Sequence, residues 1–274
     1  MAGTGEAIDP AGGSAATQGD LWAERASDWA EVMEGWNGWG IPLYRQVLER
    51  LRVGPGTKLL DVGCGAGRFC RIAADRGARV SGIDATATFI HIARERTRGG
   101  EFRVGDMETL PWRDDAFDVV TGFNSFFFSA DLAGALAEAR RVTRQDGEVA
   151  MTVFGRPDRC ESTPMFAALG QLLPGDSGDS DDGPNLYEAG VLESLAKQAG
   201  LLPRESGYLE VVEEYPDVTT LLRGYLAHGS IVKTVRTAGE QAVRDALTEG
   251  VRALITTDGG VRIEDEYRYL IATS

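Results

Sequence analysis

The sequence has 274 residues, 43% of them hydrophobic, with 28 basic against 42 acidic residues and a formal net charge of -14 at pH 7. That length and apolar content suffice for the core of one α/β domain with insertions, or of two small domains. The acidic balance, without a clustered Lys/Arg stripe, argues against nucleic-acid and membrane partners, because both are bound by neutralising phosphates with cations.

The expected partner is therefore a small molecule, and the residues do not distinguish a monomer from a homodimer. Three cysteines, at positions 64, 70 and 160, lack the paired spacing of a disulfide framework or a zinc site, so no metal is expected. The first twenty residues contain neither a basic residue nor an apolar run, which predicts a disordered tail over 1–19 rather than a signal peptide. Since no apolar stretch reaches the roughly 18 residues of a membrane span, the expected location is the cytoplasm.

Two helices, at about 20–34 and 41–52, are predicted ahead of the first strand, with Gly and Pro interrupting the pattern between them. Trp22, Trp29 and Trp36 recur every seven residues, so on a helix they would share one stripe. Trp39 follows in the glycine-rich turn. Core packing is the simplest explanation of this stripe.

Strands then alternate with helices, which is typical of a doubly wound parallel sheet. The predicted strands lie at 58–62, 79–84, 101–106, 117–123 and 148–154, with a helix at 131–142 between the last two. A polar loop insertion is predicted over 156–188, followed by a helix at 189–199 and strands at 208–215 and 261–272. Two amphipathic helices within 216–258 predict a helical cap over one edge of the sheet or, equally well, ordinary packing.

The segment DVGCGAG, residues 61–67, joins the first strand of the sheet to the following helix. Its glycines let backbone amides come close to a ligand, and the helix N-terminus offers free N–H donors to an anionic group. A dinucleotide-binding loop would carry a third glycine where Arg68 stands, so the pattern argues against NAD and FAD.

Acidic residues end the next two predicted strands. Asp84 stands 23 residues after Asp61, where a carboxylate can accept hydrogen bonds from both hydroxyls of a ribose. Asp106 can accept from the exocyclic amine of an adenine while Met107 covers a face of the ring. Because open α/β sheets bind ligands at the carboxyl ends of their strands, these residues should converge on one nucleoside site.

With these motifs the chain resembles the class I S-adenosylmethionine-dependent methyltransferases that modify small molecules. The resemblance rests on DVGCGAG, GID, GDMETLPWRDDAFDVV and RVTRQDGEVAMTVFG and spans roughly residues 20–215. It implies a Rossmann-like, doubly wound seven-stranded sheet whose last strand is antiparallel. It also implies S-adenosylmethionine as the cofactor and S-adenosylhomocysteine as its product, bound by a domain over 56–274.

The resemblance implies where each part of the cofactor lies. The methionyl part is expected along the glycine loop, the ribose on Asp84 and the adenine against Asp106 and Met107. Asp61 either contacts the cofactor or mainly organises the loop, and the side chain of Cys64 either contributes or does nothing. The complete set of predicted cofactor-binding residues is Trp22, Arg25, Trp29, Asp61, Gly63, Cys64, Gly65, Gly67, Asp84, Ala85, Asp106, Met107, Glu108, Asn124 and Ser125.

In similar methyltransferases the segment ahead of the first strand folds over the cofactor and closes the substrate pocket. The resemblance therefore predicts an N-terminal helical lid over 20–55. It makes Trp22, Arg25 and Trp29 candidates for cofactor contact and puts Trp36 and Trp39 on the substrate side. The glycines around the last two would let the lid hinge, while core packing remains the alternative role for all four indoles.

The family pattern breaks after the fourth strand, in the stretch GFNSFFFSAD. Many similar O-methyltransferases carry a histidine pair there that can act as general base, whereas Phe126, Phe127 and Phe128 accept no proton. These rings and Tyr225 are predicted to bind substrate, or the phenylalanines only pack the sheet edge. Of the two histidines in the chain, His228 is the catalytic candidate, since an unperturbed imidazole pKa near neutrality suits proton removal.

The expected activity is methyl transfer to an O, N or C atom of a small, largely apolar molecule. An aligned nucleophile makes a strong base less necessary, and aromatic walls stabilise cations. Arginine outnumbers lysine 25 to 3, which fits GC-rich coding and a bacterial pathway to a specialised metabolite. Two alternatives stay open: a cyclisation or rearrangement without methyl transfer, and a non-catalytic protein that binds the cofactor.

Overall fold

The computed structural model describes residues 13–35, 38, 40–173 and 185–274. Trp36 and Trp39, the predicted substrate-side residues of the lid, lie outside the described residues. So do residues 1–12 of the predicted tail and 174–184 of the predicted loop insertion. The predicted roles of these segments therefore stay predictions.

Helical segments precede the sheet, as predicted. They are α1 (Ala15–Ala23), α2 (Ala26–Asp28), a π-helical turn (Trp29–Met33) and α3 (Ile41–Arg50). The predicted disordered tail over 1–19 is wrong from Ala15 onward, because α1 begins there. A Cβ atom on Gly19 would lie 2.8 Å from the Ala85 carbonyl oxygen, so close packing against the sheet domain, rather than helix propensity, orders this segment.

Seven strands form one sheet within the described chain. They are β1 (Lys58–Val62), β2 (Arg79–Asp84), β3 (Glu101–Val104), β4 (Phe117–Phe123), β5 (Thr143–Phe154), β6 (Leu202–Tyr215) and β7 (Val261–Thr273). The strand order is β3-β2-β1-β4-β5-β7-β6, with β1 to β5 parallel and β7 antiparallel to both of its neighbours. The predicted doubly wound, seven-stranded sheet with an antiparallel last strand is confirmed.

Further helices cover the sheet. They are α4 (Arg68–Asp75), α5 (Ala87–Arg96), α6 (Leu132–Val142), α7 (Thr163–Gly170), α8 (Val191–Gln198), α9 (Val218–Tyr225), α10 (Gly229–Ala238) and α11 (Glu240–Val251). Two apolar clusters form the core, one containing Leu59 and the other Leu60. Because successive strand residues point to opposite faces, these clusters lie on the two sides of the sheet. No helix of the described residues is both long and apolar enough to cross a membrane.

The segment between β6 and β7 forms three helices rather than the two predicted. The predicted apolar faces of α9 and α11 are confirmed, with Leu221, Val243, Leu247 and Val251 fully buried. The additional helix, α10, starts at Gly229 and is rich in β-branched residues, which are poor helix formers. Burial of its apolar side stabilises a helix that the propensity of its residues does not predict.

The register between β6 and β7 brings two carboxylates to one face of the sheet. Glu213 pairs with Ile263 and Val211 pairs with Asp265, so Glu213 and Asp265 are diagonal neighbours across the two strands. Tyr267 follows Asp265 on the same face, since side chains alternate along a strand. This face turns toward the cap and the N-terminal segment, where the candidate site lies.

Candidate active site

A single continuous cavity, among the described residues, follows the carboxyl ends of the parallel strands and extends over β6 and β7. One end, here called the nucleoside end because the sequence predicts the nucleoside of the cofactor there, is bounded by the loops after β1, β2 and β3. The other end, here called the distal pocket, is lined by Phe154, Phe166, Glu213, Tyr225, Asp265 and Tyr267. The predicted cofactor site and the predicted cap therefore share one enclosed space.

The glycine loop adopts a conformation that only glycine tolerates well. Gly63 and Gly65 have φ angles of 70° and 52°, in the left-handed region. A Cβ atom on Gly63 would lie 2.4 Å from the Cβ atom of Ser125. Gly63 and Gly65 line the cavity, whereas Gly67 does not reach its lining and instead caps the N-terminus of α4.

Asp84, at the end of β2, links the glycine loop to the turn before α5. Its carboxylate accepts hydrogen bonds from the amides of Gly65 at 2.9 Å and Thr86 at 2.8 Å. Burial raises the pKa of Asp84 to about 6, although these two hydrogen bonds favour the charged form. Asp84 and Ala85 both line the cavity, where the sequence predicts the ribose.

Asp61 and Cys64 lie deeper in the same wall. The Thr121 hydroxyl donates to Asp61 Oδ1 at 2.7 Å, tying β1 to β4, and burial raises the pKa of Asp61 well above its usual value. Burial also raises the pKa of the Cys64 thiol, which makes this sulfur a weak nucleophile. Asp61 thus organises the loop and also lines the cavity, so both predicted roles remain compatible with its position.

The loop after β3 forms the end of the cavity predicted to hold the adenine. Asp106 and Met107 line it, but Glu108 does not. The Glu108 carboxylate instead accepts hydrogen bonds from the Ser14 hydroxyl at 3.1 Å and the Ala130 amide at 2.8 Å. The predicted cofactor contact of Glu108 is corrected to a tether that holds the start of α1 against this loop.

The start of α1 closes the nucleoside end, which the sequence did not reveal. Ser14, Ala15 and Gln18 line the cavity, although all three fall within the predicted disordered tail. The helix has no buried residue, so no periodic apolar pattern marks it. Only the tethers to other loops identify this segment as part of the site.

The indoles of the lid meet His228 and Phe128 in one aromatic cluster over the cavity. The Trp22 ring lies 4.8 Å from Trp29 in an edge-on arrangement, 4.7 Å from His228 and 5.7 Å from Phe128, measured between ring centroids. The predicted cofactor contact of Trp22 and Trp29 stays a prediction, but both residues line the cavity. Arg25 does not, because its guanidinium pairs with Glu240 on α11 at 2.5 Å, so its predicted cofactor contact is corrected to a lid-to-cap ion pair.

Glu34, just after the π-helical turn, is a site residue that the sequence reasoning missed. Only 5% of its surface is exposed, and its carboxylate accepts from Trp29 Nε1 at 3.0 Å and from the amides of Ala66 at 2.8 Å and Arg68 at 3.0 Å. Arg96 pairs with it at 2.7 Å. The amides predicted to be free for an anionic ligand at the start of α4 are therefore taken by the lid.

The phenylalanine run after β4 contributes one ring to the cavity. Phe128 lines it, whereas Phe126 is fully buried in the core and Phe127 packs against that core. The predicted substrate contacts of Phe126 and Phe127 are thus corrected to packing. Asn124 and Ser125 do line the cavity, and the Ser125 hydroxyl donates to the Val62 carbonyl oxygen at 2.6 Å.

His228 faces the cavity but is poorly suited to remove a proton. It caps the N-terminus of α10, where its Nδ1 accepts from the Ser230 amide at 3.3 Å. That bond leaves the proton of the neutral ring on Nε2. Burial lowers the pKa of His228 to about 4, so the predicted base near neutrality is corrected to a neutral imidazole in the cavity wall.

Tyr225 lines the distal pocket, in agreement with its predicted place on the substrate side. Glu213 and Asp265, beside it, were not identified from the sequence, because the alternation along β6 and β7 indicates only two-faced strands. The register of β6 and β7 places both carboxylates on one face of the sheet. The described residues contain no cluster of His, Cys, Asp and Glu able to hold a metal ion.

Comparisons with known proteins agree with this geometry. A model of the methyltransferase domain family matches residues 60–151. Over 193 residues the chain is 33% identical to a malonyl-[acyl-carrier protein] O-methyltransferase of Serratia marcescens, covering 69% of this chain and 71% of that protein.

Two solved structures share the fold. A complex between the Haloferax volcanii Trm112 methyltransferase activator and a methyltransferase matches at 19% identity and a TM-score of 0.57, covering 97% of this chain and 99% of the other. A geranyl diphosphate methyltransferase in complex with S-adenosylmethionine matches at 18% identity and a TM-score of 0.52, covering 85% and 84%. At these identities the likeness extends to the fold alone.

Proposed function

The chain belongs to the class I S-adenosylmethionine-dependent methyltransferases, and on that premise we propose that it methylates a small, largely apolar molecule held in the distal pocket. S-adenosylmethionine is the methyl donor of this enzyme. The observation that carries the proposal is the continuity of the cavity between the Asp84 end and the aromatic distal pocket.

The residues at the nucleoside end fit this cofactor. The Asn124 Nδ2 atom is buried and has no hydrogen-bond partner within the described chain, and Asn124 borders the cavity. Buried polar groups are seldom left unpaired, so a polar ligand at this end would satisfy it. When bound, S-adenosylmethionine supplies a methyl group activated by the adjoining sulfonium.

We assign roles at this end from the positions of the side chains. Asp84 binds the ribose hydroxyls, since its carboxylate reaches the cavity wall and keeps lone pairs beyond those used by Gly65 and Thr86. Asp106 and Met107 bind the adenine, and Trp22 and Trp29 cover the cofactor from the lid. Glu34 orients the glycine loop and offers a carboxylate near the expected position of the cofactor's ammonium group.

The acceptor is held by rings rather than by a strong base. His228 is neutral with its accepting nitrogen already used, so alignment of the nucleophile within an enclosed site must supply most of the acceleration. The Serratia relative is named for a malonyl group on a carrier protein. Glu213 and Asp265 would repel a carboxylate in the distal pocket, which favours a neutral or cationic acceptor for this chain instead.

Two measurements test the proposal. Calorimetric titration of S-adenosylhomocysteine should give saturable binding to the wild-type protein. Incubation with methyl-labelled S-adenosylmethionine and a bacterial extract should then transfer label to an organic product heavier by one CH2 unit. Absence of binding would refute the cofactor site, and a product of unchanged mass would favour the cyclisation or rearrangement instead.

A further inference from the structure

The distal pocket contains two buried carboxylates without a cation to balance them. Glu213 is 4% exposed and Asp265 is 2% exposed, yet both line the cavity. No lysine, arginine or histidine of the described chain forms an ion pair with either, although other buried acids, such as Glu34 with Arg96, are paired. The function proposed above uses the pair only to disfavour an anionic acceptor.

Hydrogen bonds hold each carboxylate in place but do not neutralise it. Glu213 accepts from the Tyr215 hydroxyl at 2.7 Å and from the Tyr267 hydroxyl at 3.4 Å. Asp265 accepts from the Ser162 amide at 3.0 Å and its hydroxyl at 2.5 Å. These donors are neutral, so the negative charge of the pair remains directed toward the cavity that both residues line.

The absence of a counter-charge is reflected in the pKa of these acids. Burial, together with a smaller contribution from the neighbouring Asp265, raises the pKa of Glu213 to about 7. Burying an ionised carboxylate without a counter-charge is costly, and proteins usually pair or protonate such groups. A cationic occupant of the cavity would remove this cost, whereas an anionic one would increase it.

The aromatic residues around Glu213 and Asp265 also favour a cationic occupant. Tyr225 and Tyr267 line the pocket beside the carboxylates, and Phe154 and Phe166 add two further rings. The Phe154 ring lies 5.7 Å from Tyr267 and 6.2 Å from Phe166, between centroids. Aromatic faces attract ammonium groups, so charge and ring geometry point to one ligand chemistry.

We propose that the distal pocket selects an acceptor bearing a protonated amine on an apolar skeleton, with Glu213 as the specificity-determining residue that receives the ammonium group. This inference rests on the proposed methyltransferase function and names its substrate class. Asp265 reinforces the negative field, and the rings hold the apolar skeleton. The amine is the group by which the molecule is recognised, whichever atom is methylated.

The test compares three phenyl compounds of matched size on protein saturated with S-adenosylhomocysteine. These are 2-phenylethylamine, the neutral 2-phenylethanol and the anionic 3-phenylpropionate, titrated at pH 8 by calorimetry or ligand-observed NMR. We expect the amine to bind at least about tenfold more tightly than the alcohol, because its ammonium group would balance the charge of two buried carboxylates that lack a cationic partner. Equal affinities for amine and alcohol would overturn the inference.

Substitutions test whether Glu213 is the residue that binds the amine. Glu213→Gln keeps the size of the side chain but removes its charge and one of its two acceptor oxygens, and it should weaken amine binding by about tenfold or more, with alcohol binding changed less than about twofold. Glu214→Gln is the matched control, since this exposed neighbour lies outside the distal pocket, and it should change neither affinity. Unaltered amine binding by Glu213→Gln would contradict the assignment of Glu213.

The methyltransferase proposal and the proposal about the acceptor class would be refuted by different results. If S-adenosylhomocysteine does not bind the wild-type protein, the methyltransferase proposal fails. If it binds and the amine is not preferred, the cofactor site stands and only the acceptor class is wrong. The comparison of amine with alcohol uses wild-type protein, so it remains decisive even if the Glu213 variant folds poorly.

Discussion

At the scale of single residues, Asp84 carries the clearest consequence for cofactor binding. Its carboxylate is oriented by two backbone amides, so Asp84→Asn should lose charge-assisted hydrogen bonds while keeping its shape. We expect S-adenosylhomocysteine binding to weaken by about 1–3 kcal/mol, as calorimetry can measure. Asp75→Asn, on the exposed side of α4, is the control. An unchanged dissociation constant for Asp84→Asn would remove its ribose role.

Glu213 predicts a pH dependence of folding stability. Its folded pKa of about 7 lies above the usual glutamate value of 4.5, so its stabilising contribution is complete below pH 4.5 and is lost as the pH rises through 7. Glu213→Gln should therefore gain stability over wild type at pH 8, by up to about 3 kcal/mol, and little at pH 5. Urea denaturation at both pH values measures the difference, and an equal gain at both would contradict it.

At the scale of elements, Glu34 ties the N-terminal helical segment to the sheet domain. The carboxylate joins the π-helical turn to the start of α4 and to Arg96 on α5. Glu34→Gln keeps the size of the side chain but replaces one acceptor oxygen with an NH2 donor and leaves Arg96 without its counter-charge, so we expect a loss of about 1–3 kcal/mol of unfolding free energy. Chemical denaturation measures this loss.

The matched control for that variant is Glu31→Gln. Glu31 lies on the same turn, but its ion pair with Arg223 is exposed, and surface pairs contribute about 0–1 kcal/mol. The two variants should therefore differ in stability. Equal losses from both would mean that the contact with the glycine loop does not stabilise the lid.

The contacts of α1 predict that its dynamics change when S-adenosylhomocysteine binds. Because α1 has no buried residue and is tethered by the contacts of Ser14 with Glu108, it should open locally at low free-energy cost. Binding of S-adenosylhomocysteine beneath it should slow amide hydrogen exchange in α1 more than in α11, which packs against α7 and contributes no residue to the cavity lining. Equal protection of both helices would argue against α1 as a closing element.

At the scale of the whole molecule, the parallel half of the fold could be predicted from the sequence. Short apolar strands carry the topology, and the acidic residues at or just after their carboxyl ends, Asp61, Asp84 and Asp106, mark the predicted nucleoside site, since each is a local signal. Glu34, Ser14 and Glu213 could not be predicted, because their roles depend on contacts between residues distant in the chain. The sequence suggested His228 as the catalytic base, but the burial that lowers its pKa to about 4 has no local signature.

The position of β7 has a consequence for folding on the ribosome. In the described sheet β6 pairs only with β7, which inserts between β5 and β6. The strands β1 to β5 can assemble as they are synthesised, whereas β6 must wait unpaired until the last residues of the chain arrive. The distal pocket, built from both late strands, therefore forms after the nucleoside end. A nascent chain should gain the capacity to bind cofactor before it can select an acceptor.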